Sequence, residues 1–336
     1  MSSRMLRSEI QSEILDLPSV VYSSMQHKKI LGREMGNLAN TIPTVDLSVF
    51  LLSDGDEAAK KAATEIISRA CAEYGFFQVV SHGIPLELMS RAMDLCKTFF
   101  GLPDEEKLKS IPRAGSPVPA GYGKQPDQSA DKNEYLLMLP PNNCNNVLPN
   151  NPPGFRAAME EMFTYFSLTG ELIETILNDC LGLPTNFLKE YNQDRSWDLM
   201  STKHYFPATE TENVGISRHE DGNVITFIYQ DDVGGLEVLR DGQWIPVVPS
   251  QAQGTLVVNV GDVLTNKKFK SATHRVTRPQ GKSRYSFSFF YNLQADNFET
   301  KTNEKIEADL SESSNSGQVR RWGQVPEQSS IDPHVD

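Results

Sequence analysis

Apolar residues recur at helical spacing in three parts of the chain, and each part predicts an amphipathic helix. The first spans residues 57–74 and stops at Gly75. The second opens at Pro85 and closes at Gly101 and Pro103. The third, residues 155–180, is long enough for about seven turns and carries its Met, Phe and Ile residues along one side.

Other segments are short and rich in β-branched and aromatic residues, which is typical of strands. Two of them, residues 42–47 and 76–80, flank the first helix. After residue 200 more follow at close spacing, and Asp241-Gly242 between two of them predicts a hairpin. These later strands are predicted at residues 204–206, 224–230, 236–239, 244–248, 255–260, 274–277 and 284–291. The pattern predicts a mixed α+β protein whose strands form a sandwich or jelly roll.

Changes in composition divide the chain into regions. Residues 111–154 are dominated by Pro, Gly, Asn and Ser and predict a long loop, of the kind that covers functional sites. After Asn292 the chain turns polar and is expected to be disordered. The predicted regions are an N-terminal arm (1–41), a helix and strand region with the loop (42–154), the long helix and its connection (155–195), a strand-rich domain (196–296) and a polar tail (297–336).

Composition and charge narrow the classes of partner. Lys and Arg total 32 against 44 Asp and Glu, a formal net charge of −12. This balance argues against nucleic acid or an anionic membrane, because both require a concentrated basic surface. The sequence also has no apolar run that spans a bilayer and no resemblance to a signal peptide at its N-terminus. Its four cysteines are scattered, which fits a reducing, cytoplasmic setting, and nothing demands more than a monomer.

Two of the six histidines stand in a pattern that suits a metal ion. His219 lies two residues before Asp221, so on a strand both side chains point to the same side. His274 opens a later predicted strand. Two imidazoles and one carboxylate form the facial triad that holds non-haem Fe(II) and leaves positions open for small molecules. His204 is expected to be a packed or solvent-facing residue rather than a fourth ligand.

Arg284 and Ser286 form a second candidate site, again two residues apart on one predicted strand. A guanidinium is a rigid fork that binds a carboxylate through two hydrogen bonds, and a hydroxyl can donate to the same group. The sequence therefore predicts a carboxylate clamp near the metal ligands.

An ordered series of short motifs resembles the 2-oxoglutarate- and Fe(II)-dependent dioxygenases, in their isopenicillin N synthase-like, largely plant branch. The resemblance runs from about residue 42 to residue 292. The matching segments are Tyr74-Gly75-Phe76-Phe77-Gln78-Val79, Ser81-His82-Gly83-Ile84-Pro85, His219-Glu220-Asp221, Gly234-Gly235-Leu236, Gly261-Asp262, Leu264-Thr265-Asn266, Lys270-Ser271-Ala272-Thr273-His274-Arg275-Val276 and Arg284-Tyr285-Ser286.

This resemblance implies a double-stranded β-helix (jelly-roll) core with flanking helices, the long helix packing on the sheet. It implies Fe(II) at His219, Asp221 and His274, with the far carboxylate of 2-oxoglutarate at Arg284 and Ser286. Dioxygen would take the remaining position, and ascorbate would support activity. The expected reaction is hydroxylation, desaturation or demethylation of a small, largely apolar organic molecule, as in secondary metabolism, with release of succinate and CO2.

The same resemblance suggests contacts for the substrate and the co-substrate. Tyr122 lies in the long loop, and Phe227 and Phe289 alternate along strands that should line the cavity. Where the family has Asn-Tyr-Tyr-Pro, this chain has His204-Tyr205-Phe206-Pro207. Phe206 cannot donate the expected hydrogen bond, so Tyr205 is the candidate contact for 2-oxoglutarate, and it would need a shifted register that turns it to the other face.

Two alternatives to this enzyme remain. One is an Fe(II) oxidase of the same architecture that does not use 2-oxoglutarate, since the Arg-x-Ser pair occurs in some such relatives. The other is a catalytically impaired member that binds a small ligand. Phe206, a shortened segment at 261–266 and a tail without the usual closing helix favour the second.

Overall fold

The computed structural model describes residues 41–52, 56–250, 254–264 and 268–293. The predicted tail lies outside these residues, as does the predicted arm apart from residue 41. Residues 265 and 266 of the shortened segment also lie outside them. Within the described residues, no helix has both the length and the apolar character that crossing a membrane requires.

The three predicted helices form close to their expected positions. The first predicted helix begins at Glu57 and is capped by Asp56, whose carboxylate accepts a hydrogen bond from the Ala58 backbone N–H at 2.9 Å. The long helix ends at Gly182, which adopts a left-handed conformation with φ of 71°. The helices are α1 (Ser48–Leu51), α2 (Glu57–Glu73), α3 (Leu86–Phe100), α4 (Asp104–Lys107), α5 (Phe155–Leu181) and α6 (Phe187–Tyr191).

The strands agree with the sequence at their centres and differ at several ends. They are β1 (Thr44–Asp46), β2 (Phe76–Val80), β3 (Tyr122–Lys124), β4 (Asn133–Met138), β5 (Leu199–Tyr205), β6 (Val214–His219), β7 (Ile225–Gln230), β8 (Leu236–Arg240), β9 (Gln243–Pro246), β10 (Leu256–Val260), β11 (His274–Thr277) and β12 (Arg284–Tyr291). The prediction of one long loop over residues 111–154 was wrong. It contains β3 and β4, which form because β4 pairs with β5, a strand far away in sequence.

Two sheets face each other. The large sheet has the order β1-β2-β10-β7-β12-β5-β4-β3, and the small sheet has the order β6-β11-β8-β9. One apolar cluster lies between the large sheet and α2, α3 and α5. A second, smaller cluster lies between the sheets and joins Ile228 and Val257 to Leu236, Val238 and Val276. The large sheet is therefore covered by helices on one face and by the small sheet on the other.

The register of β12 assigns side chains to these two faces, because residues alternate along a strand. Phe287 and Phe289 point to the side that we call the helix face, where Phe289 packs on Phe163 and Phe166 of α5. Arg284, Ser286 and Ser288 point to the opposite side, which we call the cavity face. Residues directly opposite these three on β5 and β7 share that face.

Candidate active site

The three predicted metal ligands meet at one end of the space between the sheets. His219 is the last residue of β6 and pairs with His274, the first residue of β11. The sequence predicted that Asp221 shares a strand with His219. Instead, Asp221 lies in the turn between β6 and β7. The turn nevertheless brings the carboxylate back, so one ligand atom of each residue lies within 4.8 Å of the others.

The hydrogen bonds of the two histidines select the nitrogen that faces the cluster. His219 Nδ1 lies 2.8 Å from the Ser217 carbonyl oxygen, and His274 Nδ1 lies 3.0 Å from that of Ala272. A carbonyl only accepts, so each Nδ1 carries the proton and donates it. Both Nε2 atoms then have free lone pairs, 3.5 Å and 3.9 Å from Asp221 Oδ1 for His219 and His274 respectively. This donor set suits a divalent metal such as Fe(II).

Asp221 is held by two side chains that the sequence analysis missed. Thr226 Oγ1 donates to Asp221 Oδ2 at 2.6 Å, and Asn259 Nδ2 donates to the same oxygen at 2.9 Å. Burial raises the pKa of the Asp221 carboxyl, but the two histidines and these hydrogen bonds outweigh it and leave the pKa below its usual value. Asp221 therefore stays ionised, and Oδ1 remains directed at the histidines.

The imidazole of His219 stays neutral for a related reason. Burial lowers its pKa, and neighbouring His274 lowers it further, against the opposing effect of Asp221. A neutral imidazole is the form that binds a metal.

Arg284 is a buried guanidinium that forms no ion pair with an aspartate or glutamate of the described residues. It is 1% exposed, and its Nη2 donates to Gln230 Oε1 at 2.9 Å while Nη1 reaches Ser286 Oγ at 3.3 Å. Its Nε has no hydrogen-bond partner among the described residues. Because an uncompensated buried charge is costly, this arrangement fits a carboxylate that comes from outside the chain. The residues present thus fit the far end of 2-oxoglutarate.

The register of β5 corrects the expectation for the His204-Tyr205-Phe206 segment. Tyr205 is directly opposite Arg284, so it already lies on the cavity face, with its ring centroid 4.6 Å from the guanidinium carbon. Phe206 follows the end of the strand and lies beneath the ammonium group of Lys124. Tyr205, and not Phe206, is therefore the aromatic residue beside the clamp.

The three predicted substrate contacts lie on the wrong face of the sheet. Phe227 and Phe289 pack against Phe166 of α5. Tyr122 packs edge-on against Phe99 of α3, and its hydroxyl donates to Glu134 Oε2 at 2.6 Å. All three belong to the apolar cluster beneath the helices. The prediction was wrong because the alternation of side chains along a strand shows which residues share a face, but it does not show which of the two faces borders the cavity.

His204 is structural, as the sequence predicted. Its Nδ1 contacts Glu134 Oε1 at 2.7 Å and its Nε2 contacts Ser283 Oγ at 2.9 Å, both on the helix face. The ring stacks on Tyr285 with centroids 4.7 Å apart. It lies on the opposite face of the sheet from the metal ligands.

Several cavity-face residues were missing from the sequence analysis: Thr226, Gln230, Asn259, Lys203 and Tyr135. A signal for some of them existed. Thr226 and Gln230 are polar positions in a strand that is buried throughout, and they differ by an even number of residues. Tyr135 was hidden in the predicted loop. A Cβ at Gly123 would lie 2.6 Å from Tyr135 Cζ, so the glycine gives this ring its place on the cavity face.

Comparisons with known proteins agree with this geometry. The family model of the 2OG-Fe(II) oxygenase superfamily matches residues 196–293. The model of the non-haem dioxygenase in morphine synthesis N-terminal region matches residues 42–148.

Curated relatives resemble most of the chain. Flavonol synthase/flavanone 3-hydroxylase of Matthiola incana is 33% identical over 259 residues, which cover 73% of this chain and 84% of the relative. The 1-aminocyclopropane-1-carboxylate oxidase of Musa acuminata is 32% identical over 262 residues, which cover 75% and 82% of the two chains.

Solved structures share the fold. JOX2 in complex with 2OG, Fe and JA has a TM-score of 0.66 and 30% identity, and 76% of each chain is covered. A full-length Neurospora crassa protein in complex with alpha-KG and 5-formyluracil has a TM-score of 0.67 and 26% identity, with 77% of this chain and 86% of that one covered.

These matches confirm the predicted jelly-roll core with flanking helices, and they confirm Fe(II) and 2-oxoglutarate as the cofactor and co-substrate. The extent and identity of the curated matches decide the family. The chain belongs to the 2-oxoglutarate- and Fe(II)-dependent dioxygenases, in their plant-type, isopenicillin N synthase-like branch, and is an oxidoreductase.

Proposed function

We propose that this dioxygenase oxidises a small, largely apolar organic metabolite by hydroxylation, desaturation or demethylation, with release of succinate and CO2. In this proposal His219, Asp221 and His274 hold Fe(II), and Arg284 with Ser286 holds the far carboxylate of 2-oxoglutarate. The proposal rests above all on one observation. The three-ligand cluster and a buried arginine, which forms no ion pair in the part of the chain that the structure describes, both face the space between the sheets.

Each residue has a distinct task in the reaction. When bound, iron and 2-oxoglutarate supply the activation of dioxygen that lets an unreactive C–H bond be oxidised. The carbonyl oxygens of Ser217 and Ala272 fix the ring orientation of the two histidines. Thr226 and Asn259 keep Asp221 ionised and aimed at the metal position. Gln230 orients the guanidinium of Arg284, which binds and aligns the co-substrate.

The lining of the cavity supports an apolar substrate. On the cavity face of β4, β5 and β12, a few side chains are only half-buried, unlike their fully buried neighbours. Most of these are apolar or aromatic: Tyr135, Leu137, Leu199 and Phe290. An apolar molecule that covers them leaves water, which favours binding.

We further propose that the enzyme works as a monomer in the cytoplasm. The described cysteines Cys71, Cys96, Cys144 and Cys180 are all free, which supports a reducing compartment. Sedimentation of the full chain at working concentration tests the oligomeric state.

The decisive experiment is a screen for succinate release. The purified full chain is supplied with Fe(II), 2-oxoglutarate, ascorbate and members of a small-molecule library. We expect succinate to form in proportion to an oxidised product for at least one compound class. Asp221→Ala should form none. Oxidised product without succinate would instead identify the oxidase that does not use 2-oxoglutarate, and bound metal with no oxygen uptake would identify the ligand-binding protein.

The structure provides a substitute for one of the features that favoured the ligand-binding alternative. The objection from Phe206 is weakened, because Tyr205 provides an aromatic hydroxyl residue on the cavity face beside Arg284. The guanidinium of Arg284 forms no ion pair among the described residues and its Nε has no hydrogen-bond partner there, which favours use of 2-oxoglutarate over the oxidase alternative.

A further inference from the structure

One cation on the cavity face takes no part in the interactions assigned above. Lys203 of β5 lies directly opposite Ser286 of β12 and Tyr135 of β4, so it shares their face. Its Nζ donates to Ser201 Oγ at 2.9 Å and lies 5.7 Å from the centroid of the Phe290 ring. No aspartate or glutamate of the described residues forms an ion pair with it. Lys203 is thus an ammonium group on the cavity face that forms no ion pair within the described part of the chain and feels Asp221 only at a longer distance.

The ammonium group of Lys203 interacts electrostatically with Asp221 of the metal cluster and with Arg284 of the clamp. Burial lowers the pKa of its ammonium group to about 8, with Asp221 acting to raise it and Arg284 acting to lower it. With a pKa near this value, most of the amine keeps its proton at neutral pH. The side chain is half-buried.

The charges of the assembled site leave Lys203 unbalanced. Among the groups on the cavity face, Fe(II) with one carboxylate ligand would carry one net positive charge, and Arg284 carries another. Asp231, which follows β7, also interacts electrostatically with Arg284. Its carboxylate, however, accepts hydrogen bonds from the backbone N–H groups of Val233 and Tyr285. The dianion 2-oxoglutarate would neutralise both cavity-face charges. On the cavity face no anion then remains for Lys203, and an unpaired charge is unfavourable even when its side chain is half-buried. Removal of this cost requires a further negative group within reach of Nζ.

The surroundings of Nζ indicate the molecule that carries this group. The half-buried apolar side chains Leu137, Leu199 and Phe290 lie on the same face as Lys203, and Ser201 adds a hydroxyl beside the ammonium. A cation within an apolar surface is complementary to a molecule with one charged end and an apolar body.

We propose that Lys203 binds the carboxylate of the substrate, and that the enzyme acts on small carboxylic acids with an apolar body. This inference rests on the proposed function, whose substrate class it narrows from apolar metabolites to acidic ones. Ser201 is a positioning residue that holds the ammonium in place.

The test compares acids with their uncharged amides. Phenylacetate, 3-phenylpropanoate, cinnamate and cyclohexanecarboxylate, each with its primary amide, are titrated by calorimetry into the full chain loaded with Mn(II) and 2-oxoglutarate without oxygen. We expect at least one acid to bind about tenfold or more tightly than its amide, because a charge-assisted hydrogen bond is lost in the amide.

Variants of the chain assign that preference to one residue. Lys203→Met keeps the length of the side chain and removes its charge, and it should weaken acid binding about tenfold while amide and 2-oxoglutarate binding stay unchanged. Lys203→Arg should retain part of the preference. Lys61→Met, on the exposed side of α2, is the matched control and should change nothing.

Three results on the acids and amides would each overturn the inference: equal binding of acids and amides, no binding of any acid, or an acid preference that survives in Lys203→Met. Weakened 2-oxoglutarate binding in that variant would also overturn it, since Lys203 would then belong to the co-substrate. Failure of the wild-type chain to bind 2-oxoglutarate would contradict the proposed function instead. The comparison of acids and amides on the metal-loaded chain would still test Lys203 in that case.

Discussion

The two faces of the large sheet treat buried charge in opposite ways. On the helix face, Glu134 accepts hydrogen bonds from Lys107 Nζ at 2.8 Å and Tyr122 Oη at 2.6 Å, and it also contacts His204. On the cavity face, Arg284 and Lys203 form no ion pair among the described residues. Charges that satisfy one another stabilise the fold, whereas charges left without partners are available to ligands. The state of its partners thus separates a structural charge from a functional one.

The largest expected effect concerns the metal cluster. Asp221→Ala or His219→Ala should reduce succinate formation to background, because either change removes one of three ligand atoms. Without metal, His219→Ala should change the unfolding temperature little. Asp221→Ala should lower it, because Thr226 and Asn259 lose a buried acceptor. The control is Glu220→Ala, which alters the exposed carboxylate between the two ligands and should keep most of the activity. Normal turnover by either ligand variant would remove that residue from the metal site.

The next effect concerns the apolar part of the helix face. Phe289→Ala should lower the free energy of unfolding by about 3–5 kcal/mol, the usual cost of a large cavity in a packed core. Its neighbour Phe290 is half-buried on the cavity face, so Phe290→Ala should cost less stability and should alter the choice of substrate instead. Chemical denaturation of both variants tests the contrast, and equal losses would contradict the assignment of faces.

A smaller effect follows from the charges on the helix face. Burial raises the pKa of Glu134, but the hydrogen bonds from His204, Lys107 and Tyr122 outweigh it and hold the pKa below the usual 4.5. The ionised carboxylate therefore stabilises the fold fully above pH 4.5, and this contribution disappears as the pH falls through the lower folded-state pKa.

Glu134→Gln should consequently lose about 2 kcal/mol at neutral pH and show a shallower fall in stability on acidification. Thermal unfolding across the acid range measures both quantities. Because Glu134 points away from the cavity, binding of 2-oxoglutarate should not change. A variant with the wild-type acid profile would show that other carboxylates dominate acid unfolding.

The smallest expected effect concerns the clamp. Arg284→Lys should raise the concentration of 2-oxoglutarate required for half-maximal rate about tenfold, or about 1.4 kcal/mol, since an ammonium cannot reproduce the two-pronged contact. Arg275→Lys provides the control, because Arg275 already pairs with Glu237 near the surface at 2.7 Å. An unchanged requirement in the first variant would exclude Arg284 as the co-substrate anchor.

The sequence predicted which residues form the candidate site more completely than it predicted which face of the large sheet each residue lies on. The triad and clamp could be proposed from the sequence because spacing and residue type are local properties of the chain, and the structure brings the three proposed ligands together. The convergence of Asp221 with His219 was expected for the wrong reason, since a turn and not a strand brings them together. The face of Phe227 and Phe289 could not be determined, because strand alternation defines two sides but their environment depends on which helices pack there.

Strand pairing between distant segments was the other missing information. Residues 133–138 lie between Pro-, Asn- and Ser-rich stretches, and only their pairing with β5 makes them a strand. Without β4 the sequence could not place Tyr135 or Leu137 in the cavity. Lys203 was missed for a similar reason, because its importance depends on Ser286 across the ladder rather than on any neighbour in sequence.

The turn that carries Asp221 has a mechanical consequence. His219 and His274 belong to the small sheet, whereas Thr226 and Asn259, which grip the carboxylate, belong to the large one. An ion bound here would therefore cross-link the two sheets. Iron loading should slow the separation of the two sheets during unfolding. Removal of the iron by a chelator should let the sheets separate first where His219, His274 and Asp221 meet.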